Sequence, residues 1–219
     1  MSRRATGEQV IWNAVTPVAV TSSTDATPIV VTATAHGLVT GDLVQIYGHT
    51  TNIAANGIFR VTKITADTYS LQNYNTGANI AGSGAGAGSS GVMVKAPKIL
   101  LVEDWRNIVF SFESTGSLNA TIKLAGSMGK PVVLPSDKYS EDTPNFGATE
   151  SATNPYQFVQ IINLDTATAV NGATGITSAG TDLHTQYEVN VNALKYFCPI
   201  ITAWSAGAIT MKAIMTDNL

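Results

Sequence analysis

ATAHGLVTGDLVQIYGHTTNIAANGIFRVTKITADTYSL, residues 33–71, decides the fold class of this chain. Within it Leu43-Val44-Gln45-Ile46-Tyr47 alternates as a strand does, with Val44 and Ile46 on one face and Gln45 on the other. The preceding Thr40-Gly41-Asp42 is a turn in which glycine supplies the positive φ that tight reversals need. Residues 48–57 make a polar loop, Ile58-Phe59-Arg60-Val61 a second strand, and Ala66-Asp67 a turn into a third, Thr68-Tyr69-Ser70-Leu71. Three short strands punctuated by Gly and Asp predict a small twisted antiparallel barrel or sandwich.

Outward from this module, strand signals precede it at Val18-Ala19-Val20 and Ile29-Val30-Val31, with a Ser/Thr/Asp loop at 21–27 between them. Residues 1–14 have no period of their own, and Ile11-Trp12 makes them adhesive: either an arm that docks on a neighbour or a first strand of the chain's own fold. After the third strand comes TGANIAGSGAGAGSSG, residues 76–91, which on composition resembles a flexible linker. A further strand signal follows it at Val92-Met93-Val94.

The remainder is strand-rich too. Apolar or alternating runs stand at Ile99-Leu100-Leu101-Val102, Ile108-Val109-Phe110-Ser111-Phe112, and residues 118–124, 156–164, 187–191, 196–204 and 208–215. Gly116 turns the chain between the second and third of these, Asn171-Gly172 gives a turn, and Ser205-Ala206-Gly207 turns into the closing strand. Residues 118–124 alternate cleanly, which predicts one wet face. Residues 127–155 are polar and aperiodic, a long loop for a compact domain. About six or seven strands with turn signals between them match an antiparallel sandwich, jelly-roll-like or immunoglobulin-like. The whole chain is therefore expected to be all-β.

Composition narrows the function classes. Charged residues make up 12% of the 219, about half the usual share of roughly 25%. Twelve basic and fifteen acidic residues leave a formal charge of −3, which argues against the clustered cations that nucleic-acid binding requires. The small-module stretch 32–72 holds only Arg60 and Lys63 as cations, against an RNA-binding barrel. No run approaches the roughly 20 apolar residues of a membrane span, and no apolar run follows Met1-Ser2-Arg3-Arg4 as a signal peptide requires. Synthesis and folding in a cytoplasm are expected.

Individual candidates for chemistry are sparse. Cys198 lies in Tyr-Phe-Cys-Pro-Ile-Ile, an apolar strand without a basic neighbour, where a thiol keeps a high pKa and stays inert. Pro199 beside it marks an edge or a bulge. His36, His49 and His184 lack a second ligand at metal-binding spacing. Asp137, Glu141, Asp142 and Glu150 form an acidic cluster in the long loop, at a spacing that fits no calcium loop. The glycine string at 82–91 is followed by no Lys-Ser/Thr and no helix, so it is not a phosphate-binding loop. No catalytic residue, cofactor or metal site is assigned, and the chain is not expected to be an enzyme.

Pro28-Ile29-Val30-Val31, His36-Gly37-Leu38, Gly41-Asp42-Leu43-Val44-Gln45-Ile46-Tyr47-Gly48, Asn56-Gly57, Phe59-Arg60-Val61 and Tyr69-Ser70-Leu71 occur in that order. In this the first 95 residues or so resemble a β-module of tail and other structural proteins of tailed bacteriophages, and the resemblance implies that the glycine-rich stretch is a hairpin inside that module, returning through Val92-Met93-Val94. The boundary is then expected near Lys95-Ala96-Pro97, giving three segments, 1–14, 15–95 and 96–219. The later part resembles, more loosely, β-sandwich domains of phage virion proteins, through Val102-Glu103-Asp104-Trp105-Arg106-Asn107-Ile108-Val109 and residues 189–196. The resemblance implies a virion structural protein, either a tail or baseplate accessory or a capsid-surface decoration. It would act as a homo-oligomer in contact with other virion proteins, without nucleic acid or membrane. The alternative is a carbohydrate-binding or host-surface adhesion module, whose platform would carry aromatics such as Trp105, Trp204 or Tyr74.

Overall fold

The computed structural model describes residues 4–88, 90–128, 130–132, 140–142 and 157–217, and of 130–132 and 140–142 the backbone alone. The strands are β1 (Gln9–Val15), β2 (Val18–Val20), β3 (Ser22–Ser23), β4 (Val30–Thr32), β5 (Leu43–Tyr47), β6 (Gly57–Lys63), β7 (Thr68–Asn73) and β8 (Gly91–Lys95). They continue as β9 (Leu100–Leu101), β10 (Asn107–Ser127), β11 (Lys130–Val132), β12 (Ser140–Asp142), β13 (Gln157–Phe158) and β14 (Ile161–Asn163). The last are β15 (Thr168–Val170), β16 (Ile176–Ala179), β17 (His184–Asn190) and β18 (Tyr196–Thr216). Every pairing among them is antiparallel, and the fold is all-β, a barrel-like sheet followed by a larger folded one.

The small sheet runs β2-β8-β5-β6-β7-β4-β3. Its first and last members are neighbours in the chain, separated by Thr21 alone. Val18–Val20 pair with β8, and Ser22–Ser23 pair with β4, so one short run touches both edges and nearly closes the sheet into a barrel. Inside lie Ile29, Val31, Val44, Ile46, Phe59, Val61, Tyr69, Leu71 and Met93. The expected strands of residues 33–71 are all present at these positions. The glycine-rich stretch links β7 to β8 along the barrel wall, bridged at Gln72–Asn79 and Ser23–Gly88.

Two strands of 21 residues organise the larger sheet. Straight, each would reach about 70 Å at roughly 3.3 Å per residue, longer than a domain of this size. They bend together instead. Gly116 (φ 81°), Ser117 (φ 56°) and Gly207 (φ 84°) take left-handed conformations where the β10–β18 register slips. One half of the ribbon carries β1, β17, β14 and β15; the other carries β9, β13 and β16. The halves face each other across one core, with Phe110 and Phe197 ring centroids 6.4 Å apart. Along β10 the even-numbered residues stay buried from Ile108 to Ser114 and again from Leu118 to Gly126, so the concave face remains the same on both sides of the bend. The wet face expected for 118–124 is the odd-numbered one.

Three sequence expectations are corrected. Ile108–Phe112 and 118–124 are one strand, and so are 196–204 and 208–215. Gly116 and Gly207 make a shared bend, a Cβ on Gly116 lying 3.6 Å from the Gly207 Cα. The strand expected at 156–164 divides: Gln157–Phe158 pair with β10, whereas Ile161–Asn163 pair with β15 and β17. Between them Val159 donates its N–H to the Leu124 carbonyl, which diverts the chain. The turn expected at Asn171-Gly172 is present. Asn171 receives the N–H groups of Thr174 and Gly175 in a wider turn joining β15 to β16, which pair with different strands.

Residues 1–14 contribute β1, which pairs with β18. Trp12 is 2% exposed and its indole N–H donates to the Lys95 carbonyl at 3.1 Å. Of the arm and the first strand, the described part of the segment from Gln9 on is the strand, and it belongs to the larger sheet.

Candidate interaction surfaces

The outer face of β5 is covered at Gln45 and Tyr47. Gln45 is fully buried, and its side-chain amide docks on one residue of β18. Its Nε2 donates to the Ile201 carbonyl at 2.8 Å, and its Oε1 accepts from the Ile201 N–H at 3.2 Å. The amide thus behaves as a peptide group of an added strand, on the flank of β18 between the residues paired with β9 and those paired with β1. Two residues on, the Tyr47 hydroxyl donates to the Trp204 carbonyl at 3.2 Å. Burial pushes this phenol's pKa up, so it stays a donor.

Successive residues of the junction strands serve different cores. Val44 and Ile46 fill the barrel while Tyr47 enters the large core; Met93 fills the barrel while Val94 enters the large core. Ile58 packs with Ala125, Tyr196, Cys198 and Ile200 in a third cluster between the two sheets. This explains the unbroken apolar run at 196–201: one face lines the sandwich, the other the junction. Cys198 is fully buried there, and desolvation raises its thiol pKa well above the ordinary range. Pro199, opposite Leu124, stands on the flank that Gln45 meets two residues later.

The other candidates are dispersed. His36 Nδ1 accepts the Leu38 N–H at 3.0 Å, and its ring meets Tyr69 edge-on at 5.0 Å, so the His-Gly-Leu sequence builds its own turn. His184 is exposed at the start of β17. His49 is buried beneath the glycine-rich hairpin. Glu141 and Asp142 lie on β12, while Asp137 and Glu150 lie outside the described residues. Among the described residues no group of three or more His, Cys, Asp or Glu side chains could hold a metal ion. Trp204 is 4% exposed, its indole N–H shared between the Ala206 and Gly207 carbonyls. Trp105 is half-buried under the Arg4 guanidinium at 4.6 Å, and Tyr74 packs on the junction cluster. No helix among the described residues is long and apolar enough to cross a membrane.

The remaining turn residues gather at one end of the barrel. Asp42 Oδ2 accepts the Val39 N–H, Gly41 N–H reaches the Val61 carbonyl, and Thr40 Oγ1 accepts the Lys63 N–H. Asp67 Oδ1 accepts the Ala35 N–H at 2.7 Å. These bonds place two loop tips side by side, and each tip presents an aliphatic residue to solvent: Val39 at 59% and Ile64 at 55% exposure. Ile53 projects at the other end, and Val10, Ile162, Leu164 and Ile214 on the outer face of the larger sheet.

The chain matches no protein-family model and no curated protein. Its surfaces are therefore read from their own chemistry. Sequence inspection missed Gln45 as a junction residue, although an amide between Leu43-Val44 and Ile46-Tyr47 was a usable signal. It also missed the cage around His49, for which loop composition carries no signal.

Proposed function

We propose that this chain is a structural component of a tailed-phage virion, a tail or baseplate accessory or a capsid-surface decoration, which acts through protein–protein contacts and without a reaction of its own. The observation that carries the reading is the junction. Gln45, Tyr47 and Trp12 lock a nearly closed barrel onto a folded sheet through buried and part-buried hydrogen bonds, and the resulting unit turns aliphatic tips such as Val39 and Ile64 outward. Side chains of the phage-like sequence, His36, Asp42, Asn56 and Asp67, are spent on holding turns. What such a unit offers a partner is shape and small apolar contacts, which symmetry multiplies in a repeated assembly. In it the chain contacts copies of itself and other virion proteins.

The test is incorporation. Val39→Asp and Ile64→Asp leave the core untouched, and each is expected to lower the amount of chain recovered in purified particles while the free protein stays folded. Wild-type chain absent from particles overturns the proposal.

A further inference from the structure

His49 is an anomaly of the barrel. It is 4% exposed, yet neither ring nitrogen has a hydrogen-bond partner. Buried polar atoms are nearly always satisfied, and an unpaired one calls for a physical reason. The backbone around it is well determined, because Asn56 accepts the His49 N–H at 3.0 Å and donates to its carbonyl at 2.8 Å. The imidazole lies under the end of the glycine-rich hairpin. A Cβ on Gly88 would stand 2.7 Å from Nδ1, and one on Gly91 would stand 3.1 Å from Nε2. The polar edge of the ring therefore faces two residues that must lack side chains for it to fit.

The hairpin itself is stitched to the barrel. Asp25 accepts the Gly84 and Gly86 N–H groups at 3.0 and 2.8 Å, Asn52 Oδ1 accepts that of Ser83, and Ser23 and Gly88 exchange backbone bonds. Among the described residues no carboxylate is paired with the ring. Asp25, two residues from Ser23, is occupied by the glycine amides, Asn52 gives its amide to Ser23 Oγ, and the Tyr47 hydroxyl points away to Trp204.

We propose that His49 is a proton-operated latch: the neutral ring lets the described residues of the hairpin, 82–88 and 90–91, close over it, and protonation forces them open. An imidazolium has two N–H donors and a charge, and among the described residues the closed cage offers no acceptor to either donor. Opening at Gly88–Gly91 hydrates the ring. Burial holds the imidazole pKa below its usual value near 6.5 in the closed state. The sign follows. Above about 6.5 both states are neutral and the closed form is undiminished. Below it the open form binds a proton that the closed form refuses, so the closed-to-open ratio falls by up to about tenfold per pH unit, until the closed-state pKa is reached.

Hydrogen exchange of residues 82–91, corrected for intrinsic rates, tests this between pH 7.5 and 5.0. The wild type is expected to lose protection about tenfold or more, in that segment before the rest of the barrel. Because neither nitrogen is bonded, His49→Leu and His49→Phe should keep the hairpin closed and flatten the profile. Should both variants misfold, the ring Cε1–H resonance of wild-type His49 is followed instead, and must titrate together with the glycine amides of the hairpin. A wild-type hairpin unprotected at pH 7.5, protection constant down to pH 5.0, an unchanged acid profile in a folded variant, or a ring titrating separately from the amides overturns the proposal.

Discussion

Replacing Gln45 by Leu removes one side chain and strands two backbone groups. The Ile201 N–H and carbonyl both bond to the amide inside the junction. A buried unsatisfied group costs about 1–3 kcal/mol, so the gross loss is about 2–6 kcal/mol. Leucine returns about 1 kcal/mol of this through its added apolar burial, leaving a net loss of about 1–5 kcal/mol. Urea unfolding followed by tryptophan fluorescence reads the change directly, since Trp12 and Trp204 both border the junction. Far-UV circular dichroism should lag behind fluorescence if the barrel and sheet begin to separate. Gln45→Glu sharpens the case, because it keeps the shape. A neutral acid can both donate to the Ile201 carbonyl and accept its N–H, whereas a carboxylate can only accept. Folding should therefore raise the pKa of this Glu. Its stabilising contribution is full below about 4.3 and fades as pH rises through the folded value. A loss below about 0.5 kcal/mol in Gln45→Leu, with an unchanged denaturant slope, would refute the junction's role.

Further outcomes are expected at three positions. Gly207→Ala places a Cβ 2.8 Å from the Leu118 Cα at a φ of 84°; the cost of about 2 kcal/mol should lower Tm by about 4–8 °C in a calorimetric scan. Asp25→Ala frees the Gly84 and Gly86 amides, and their exchange protection should drop without a comparable change in β10. Cys198 should resist a thiol-specific reagent at pH 8 in the folded protein and react once urea unfolds it, because burial denies access and raises its pKa.

The β-module was legible because alternation and turn chemistry agree there: Val44, Ile46, Val61 and Leu71 point into the barrel as their spacing predicts. Gln45 was placed on the correct face, but its surroundings were not, since alternation separates two faces without saying what covers either. The two long strands were split at Gly116 and Gly207 because a bent bulge and a tight turn use the same residue types. Only the partner strand, bending at the same level, tells them apart. The run at 196–201 was read only as an apolar strand, and the structure supplies the reason both its faces are apolar, the barrel packed on the second. His49 was unreadable for a different reason: its cage is made by Gly88 and Gly91, about forty residues away, through what they lack.

Imaging the particle encoded by the same genome as this chain, at a resolution that places the barrel and folded sheet in density, bears most directly on the proposed role. The account predicts the unit at a fixed copy number set by the symmetry of tail or capsid, with Val39 and Ile64 against a neighbouring protein. A particle complete without it, with the chain free in the lysate, would contradict the account.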